Sequence, residues 1–168
     1  MEHLWSPWRL AYVTGTAGPP LNERCLFCDA GADATRDELV LVKTGLSYVI
    51  LNRYPYNNGH LMVVPNRHVA TLASSRADEL EDLMRLTRFA EIALAEAYKP
   101  QGINVGINLG APAGAGIVDH LHVHLVPRWT GDTSFISVVG NTRVLPEELP
   151  QTAARLRPIF ERLLREQT

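Results

Sequence analysis

His120-Leu121-His122-Val123-His124-Leu125-Val126-Pro127 is the stretch on which the reading of this 168-residue chain turns. Side chains on a strand alternate between faces, so the three imidazoles line one polar side while Leu121, Val123 and Leu125 enter the core. Half of the chain's six histidines fall here, all at one parity. Three readings are open. A surface strand can carry histidine on its wet face, which is the natural account of one or two histidines and a poor account of three. Alternate histidines can ligate one metal ion, although the outer pair stands roughly 13 Å apart at Cα, against all three sharing one ion. Neutral imidazole can also attack an electrophile such as a phosphate ester, its tautomer held by a hydrogen bond at the other nitrogen while neighbouring imidazoles stabilise phosphate oxygens.

On the N-terminal side, Ile103 to Leu109 reads as a strand joined to the histidine segment by the Gly/Ala/Pro loop 110–116. Leu39 to Lys43 and Ser47 to Asn52 are rich in aliphatic and β-branched residues and are separated by Thr44-Gly45, the pattern of an antiparallel hairpin. A turn-rich loop over 53–59 leads into a strand at His60 to Pro65. Leu80, Leu83, Met84, Ala90, Ala93, Leu94 and Ala97 recur at helical spacing, which predicts a helix over 76–98 with Ser75 as its cap, Asp78 completing a capping box and Pro100 beyond its end. Residues 147–166 repeat helical spacing at Leu156, Ile159, Phe160, Leu163 and Leu164, but Pro150 and Pro158 are expected to break or kink them. Hairpin strands, one long helix and then further strands do not give regular βαβ alternation, so the expectation is an α+β fold with a largely antiparallel β-sheet and a C-terminal helical segment.

A mass of 18.6 kDa suits one domain, expected over 25–168. Residues 1–24 read as an N-terminal arm and linker, with Trp5 and Trp8 placed to pack on the body or on a second subunit. Sixteen basic and eighteen acidic residues give a net charge of −2, which offers no field for gripping a nucleic-acid polymer. No secretory leader is read at the start. The longest uncharged run, Gln101 to Val118, is too rich in Gly, Asn and Pro for a membrane span, so a cytoplasmic protein is expected. Cys25-Leu-Phe-Cys28 holds the only two cysteines, too few for a disulfide framework. That spacing alone is compatible with redox chemistry, zinc or two buried thiols, although the turn-like residues after Cys28 argue against a thioredoxin-like motif.

The His-φ-His-φ-His-φ-φ pattern over 120–126 resembles the signature of the histidine-triad (HIT) family. The likeness extends over most of residues 25–130: Asn52 to His60 resembles the family's first substrate-binding loop, and Asn108 precedes a glycine-rich loop as in its second. Leu4-Trp-Ser-Pro-Trp-Arg9 and Val126-Pro-Arg-Trp129 with Gly131-Asp-Thr-Ser-Phe135 look like the bacterial diadenosine-polyphosphate branch, hydrolase or phosphorylase. The resemblance implies a HIT-like fold and cleavage of a dinucleoside polyphosphate through a nucleotidyl-His122 intermediate. It implies that His124 assists at the phosphate and leaving group and that His60 buttresses it. Asn52 would bind ribose, Asn108 the phosphates, and Phe27 would line the base pocket. Read locally, Asn52 is equally a strand-end cap and Asn108 a turn residue. The chain departs from many relatives in having Gly114-Ala-Gly-Ile-Val-Asp119 where they carry Gln or Ser, which points to backbone N–H groups around Gly116 as substitutes and leaves water or inorganic phosphate open as acceptor. The likeness extends to a structural zinc site of Cys25, Cys28, His68 and His120, the fourfold donor set such an ion requires. No organic cofactor and a homodimer are expected. The alternatives are a nucleoside phosphoramidate or aminoacyl-adenylate hydrolase, and a nucleotide-binding module without turnover.

Overall fold

A computed structural model describes residues 25–33, 37–133, 139–140 and 146–166. The tryptophan arm at 1–24 and Phe135 lie outside them. The described elements are helix α1 (Leu26–Ala32), strands β1 (Val40–Lys43), β2 (Ser47–Leu51) and β3 (Leu61–Pro65), helix α2 (Ala77–Tyr98), strand β4 (Gly102–Ile107), a 3-10 turn (Ala111–Ala113), strand β5 (Val123–Arg128) and helix α3 (Leu149–Arg165). The strands form one sheet in the order β1-β2-β3-β5-β4 with every pairing antiparallel.

The hairpin expected at Thr44 is closed by that residue's own side chain. Its Oγ1 accepts the Ser47 N–H at 3.1 Å and its backbone N–H donates to the Ser47 carbonyl at 2.8 Å. β2 and β3 are buried along their whole length because both sheet faces are covered. On one face, Val49, Leu51, Leu61, Val63, Leu121, Val123 and Leu125 pack against Leu83, Leu86, Phe89 and Leu94 of α2 and Leu156 and Phe160 of α3. On the other, Tyr48, Ile50, Met62 and Val64 pack against Phe27 and Ala30 of α1.

Residues opposite one another in a ladder share a face. Met62 pairs with His124, and Gly106 pairs with His124 from the other side. By alternation His60, Asn52 and Asn108 then belong to the α1 face too, so the fold brings the sequence's polar candidates together on one side of the sheet.

Three expectations are corrected. Helix α2 is capped by Arg76, not Ser75, and the reaching acid is Glu79, whose Oε2 accepts the Arg76 N–H at 2.8 Å, while Asp78 pairs with the Arg76 side chain. α3 runs unbroken. Pro150 sits in its first turn, where no N–H is needed, and Pro158 deprives only the exposed Ala154 carbonyl, which faces water, while Leu156 and Phe160 hold both halves to the core. The histidine strand starts late: β5 begins at Val123, and the Leu121 N–H bonds to the Val69 carbonyl at 2.6 Å instead of to a neighbouring strand.

Candidate active site and metal centre

The triad does not line a wet surface. His120 and His122 are 1% and 4% exposed, and His124 is half-buried. Burial disfavours the imidazolium form, so His122 and His120 are held below the ordinary histidine range, partly offset by hydrogen bonds to carbonyl groups. At neutral pH each ring therefore carries one proton, and its partners decide which nitrogen holds it.

His122 Nδ1 lies 2.8 Å from the carbonyl of His120, which can only accept. Nδ1 is thus the protonated nitrogen, and Nε2 presents a lone pair. The ring is wedged between Phe27, at 5.0 Å between centroids, and His124, at 4.8 Å.

His60 and His124 form a second tautomer-locked unit. The Tyr56 N–H donates to His60 Nδ1 at 3.1 Å, so the proton of His60 sits on Nε2 and points at His124 Nδ1, 3.0 Å away. His124 must then carry its own proton on Nε2. Burial first, and the neighbouring imidazoles second, lower His60 to about 3 and His124 to about 4, so both rings are neutral. The arrangement offers an imidazole lone pair beside an imidazole N–H, which is a nucleophile next to a donor for an oxyanion or leaving oxygen. A Cβ built on Gly106, opposite His124, meets nothing within 4 Å, so this side of the pair is open.

Cys25, Cys28, His68 and His120 converge, with all four ligand atoms within 4.8 Å of one another. Cys25 Sγ is 3.3 Å from His120 Nδ1, and Cys28 Sγ is 3.3 Å from His68 Nδ1 and 3.6 Å from His120 Nδ1. His120 Nε2 donates to the Pro65 carbonyl at 2.9 Å, leaving Nδ1 unprotonated and aimed at the thiols. Burial, and then the Cys25 thiol, push Cys28 up to about 11, a penalty that a bound divalent cation would reverse. These four residues could hold a metal ion.

Asn52 Oδ1 accepts the Tyr54 N–H at 2.9 Å, a local turn bond. Asn108 Nδ2 reaches the Gly114 carbonyl at 3.4 Å. Phe27 is 2% exposed, its ring against His120 and His122. In the glycine-rich loop the N–H groups of Ala113, Gly114 and Ala115 bond back to Gly110 and Ala111, whereas exposed Gly116 makes no such bond among the described residues.

The model of the HIT domain matches residues 34–131. The chain belongs to the HIT-domain family. Over 160 residues, covering 90% of this HIT chain and 80% of the relative, it is 38% identical to an AP-4-A phosphorylase of Mycobacterium tuberculosis. Over 133 residues, covering 69% of this chain and 72% of the relative, it is 31% identical to the asymmetrical bis(5'-nucleosyl)-tetraphosphatase of Schizosaccharomyces pombe. Among solved structures it resembles a Zn-bound histidine triad family protein of Mycobacterium smegmatis, with a TM-score of 0.68 and 24% identity over 84% of this chain and 96% of that one, a likeness of fold.

Two groups in this HIT site escaped the sequence reading. Tyr56 sets the His60 tautomer through its backbone, which no residue-type pattern reveals, and its ring lies tilted against His60 at 4.6 Å between centroids. Asn57 donates to the Pro127 carbonyl at 3.0 Å and to Asp132 at 2.9 Å, tying the 52–60 loop to the end of β5. Asp132 in turn holds Arg128 and Arg128 holds Asn104. The only signal was the density of Asn, Pro and Gly in that loop.

Proposed function

We propose that this protein cleaves a dinucleoside polyphosphate of the diadenosine tetraphosphate type by covalent catalysis at His122. The observation that carries the reading is the bond from His122 Nδ1 to the His120 carbonyl, which leaves Nε2 as the attacking atom. The names of the relatives supply the substrate class. Nε2 forms a bond to phosphorus as the bond to the bridging oxygen breaks, and the released polyphosphate takes the electron pair. His124 Nε2–H donates to that oxygen, and His60 keeps it in the donating tautomer. Asn52, Asn108 and the Gly116 amide serve ribose and phosphates, and Phe27 backs the nucleophile at the base side. The acceptor then attacks phosphorus and frees Nε2. The more similar of the two relatives is named a phosphorylase, which favours inorganic phosphate as acceptor.

The four-residue cluster is assigned to structural zinc. Two thiols and two imidazoles form a tetrahedral zinc donor set, and the usual Zn–S and Zn–N lengths require donor atoms about 3.5 Å apart, close to those found. The ion would pin α1 to His120. No helix of the described residues is long and apolar enough to cross a membrane. A homodimer is favoured by β4, an uncharged edge strand of Gly, Ile, Asn and Val with Val105 52% exposed and none of the charges or prolines that block edge pairing.

Product analysis of diadenosine tetraphosphate tests the activity. ATP plus ADP only with phosphate identifies a phosphorylase, and ATP plus AMP without it a hydrolase. His122→Asn should bind and not turn over; unchanged turnover would sink the assignment.

A further inference from the structure

Tyr54 is 81% exposed, on a loop whose other aromatic, Tyr56, lies against the catalytic imidazoles. Tyrosine ordinarily covers most of its ring, so a side chain this bare has no packing role. Its backbone is nonetheless fixed. Asn52 Oδ1 holds the Tyr54 N–H, the Asn52 N–H bonds to the His60 carbonyl at 3.0 Å, and the His60 N–H bonds to the Asn57 carbonyl at 3.2 Å. Arg53 beside it is exposed and makes no ion pair among the described residues.

The side of the site is also settled. Tyr56 stacks 6.1 Å from His124, whereas Phe27 covers His122 and His120. Tyr54 is two residues of chain from Tyr56, at most about 7 Å, and Arg53 three, at most about 11 Å, so both exposed side chains stand on the His124 side of the site. A dinucleoside polyphosphate has a half that stays on His122 and a half that departs past the donor His124. The departing half presents anionic phosphates and a flat base, which call for a cation and an aromatic face.

We propose that Arg53 and Tyr54 form the binding platform for the departing half of a dinucleoside polyphosphate, Tyr54 stacking on its base and Arg53 pairing with its outer phosphates. This rests on the activity proposed above and names the residues that distinguish a dinucleoside from a mononucleotide. Substrates without a second base gain nothing from Tyr54.

The test compares diadenosine tetraphosphate with adenosine 5'-tetraphosphate, which keeps the phosphates and lacks the second nucleoside. Tyr54→Ala should raise the ratio of their KM values about tenfold, the loss expected for one base–aromatic stack, with kcat little changed, and Tyr54→Trp should restore it. An unchanged ratio overturns the platform. Binding of both compounds to His122→Asn protein, with and without Tyr54→Ala, separates the two proposals. If the wild type cleaves neither compound, the activity fails. A tenfold weaker affinity for the dinucleoside alone would still sustain the platform, and equal affinities would overturn it.

Discussion

His60 Nε2 lies 3.0 Å from His124 Nδ1, and the bond between them determines which nitrogen of His124 carries its proton. A backbone group sets the order: the Tyr56 amide can only donate, so His60 can only donate onward, and His124 is left with its proton on Nε2. In the proposed mechanism His60 is therefore a positioning residue. Replacing it with Ala frees His124 to adopt the other tautomer, so kcat should fall about a hundredfold with KM within a few-fold, the range expected for loss of an aligned proton donor. Steady-state kinetics check this; a rise in KM at constant kcat would instead place His60 in substrate binding.

The same pair sets a pH window for stability. His60 and His124 stand at about 3 and about 4 in the folded chain, against about 6.5 in an unfolded one. Between those limits the unfolded chain binds more protons, so stability is full above about pH 6.5 and declines as pH falls toward 4 and below. The lowered carboxylates Glu79 and Asp132 add their own loss, but only below the unfolded carboxylate range near pH 4. Urea midpoints for the metal-loaded protein should therefore fall between pH 7 and pH 5, and a His60→Ala, His124→Ala double variant should show a shallower fall there. A flat midpoint across that interval contradicts the buried, neutral pair.

The β elements were legible because short runs rich in aliphatic and β-branched residues are bounded by turn formers: Thr44 sits at the bend it was expected to make, and Val49, Leu51, Leu61 and Val63 face the helices. Pro158 misled because a sequence rule prices the lost hydrogen bond and cannot see that Leu156 and Phe160 are anchored on either side of it. Arg76 was overlooked as a cap because the propensity for Ser at that position ignores Glu79, which Arg67 also holds. At the site, residue types showed where imidazoles and thiols lie along the chain. Their protonation pattern was hidden, since it depends on the carbonyls of His120 and Pro65 and the amide of Tyr56, which have no sequence signature.

Removing the proposed zinc should act on stability and on the proposed nucleophile, His122, together. The ring of His120 belongs to the four-residue cluster, while its carbonyl holds His122, and Phe27, between the two cysteines, packs on both imidazoles. Cys28→Ser should lower bound zinc from about one per chain toward none and reduce Tm by roughly 5–15 °C, the shift that a few kcal/mol gives in a chain of this size. Elemental analysis and thermal melts decide; wild-type protein that melts identically with and without chelator would show that the cluster is not a metal site in solution.

Gly59 places His60 by virtue of having no side chain. Its φ is +75°, in the left-handed region, and a Cβ there would stand 3.1 Å from the Tyr98 ring and 3.2 Å from Leu94. Both neighbours belong to α2, and Tyr98 is itself held by the Glu147 carboxylate, which Thr152 and Arg155 also engage, so the ring has little freedom to retreat. Gly59→Ala combines backbone strain of about 1–2 kcal/mol with a steric push on the residue before His60. Stability in urea should drop by at least that amount, and kcat should drop with it, because moving the His60 backbone lengthens the bond to His124. Tyr98→Ala in the same background clears the space and should recover kcat while leaving stability low. Loss of stability with kcat intact in Gly59→Ala would mean that the loop relaxes without disturbing the imidazole pair.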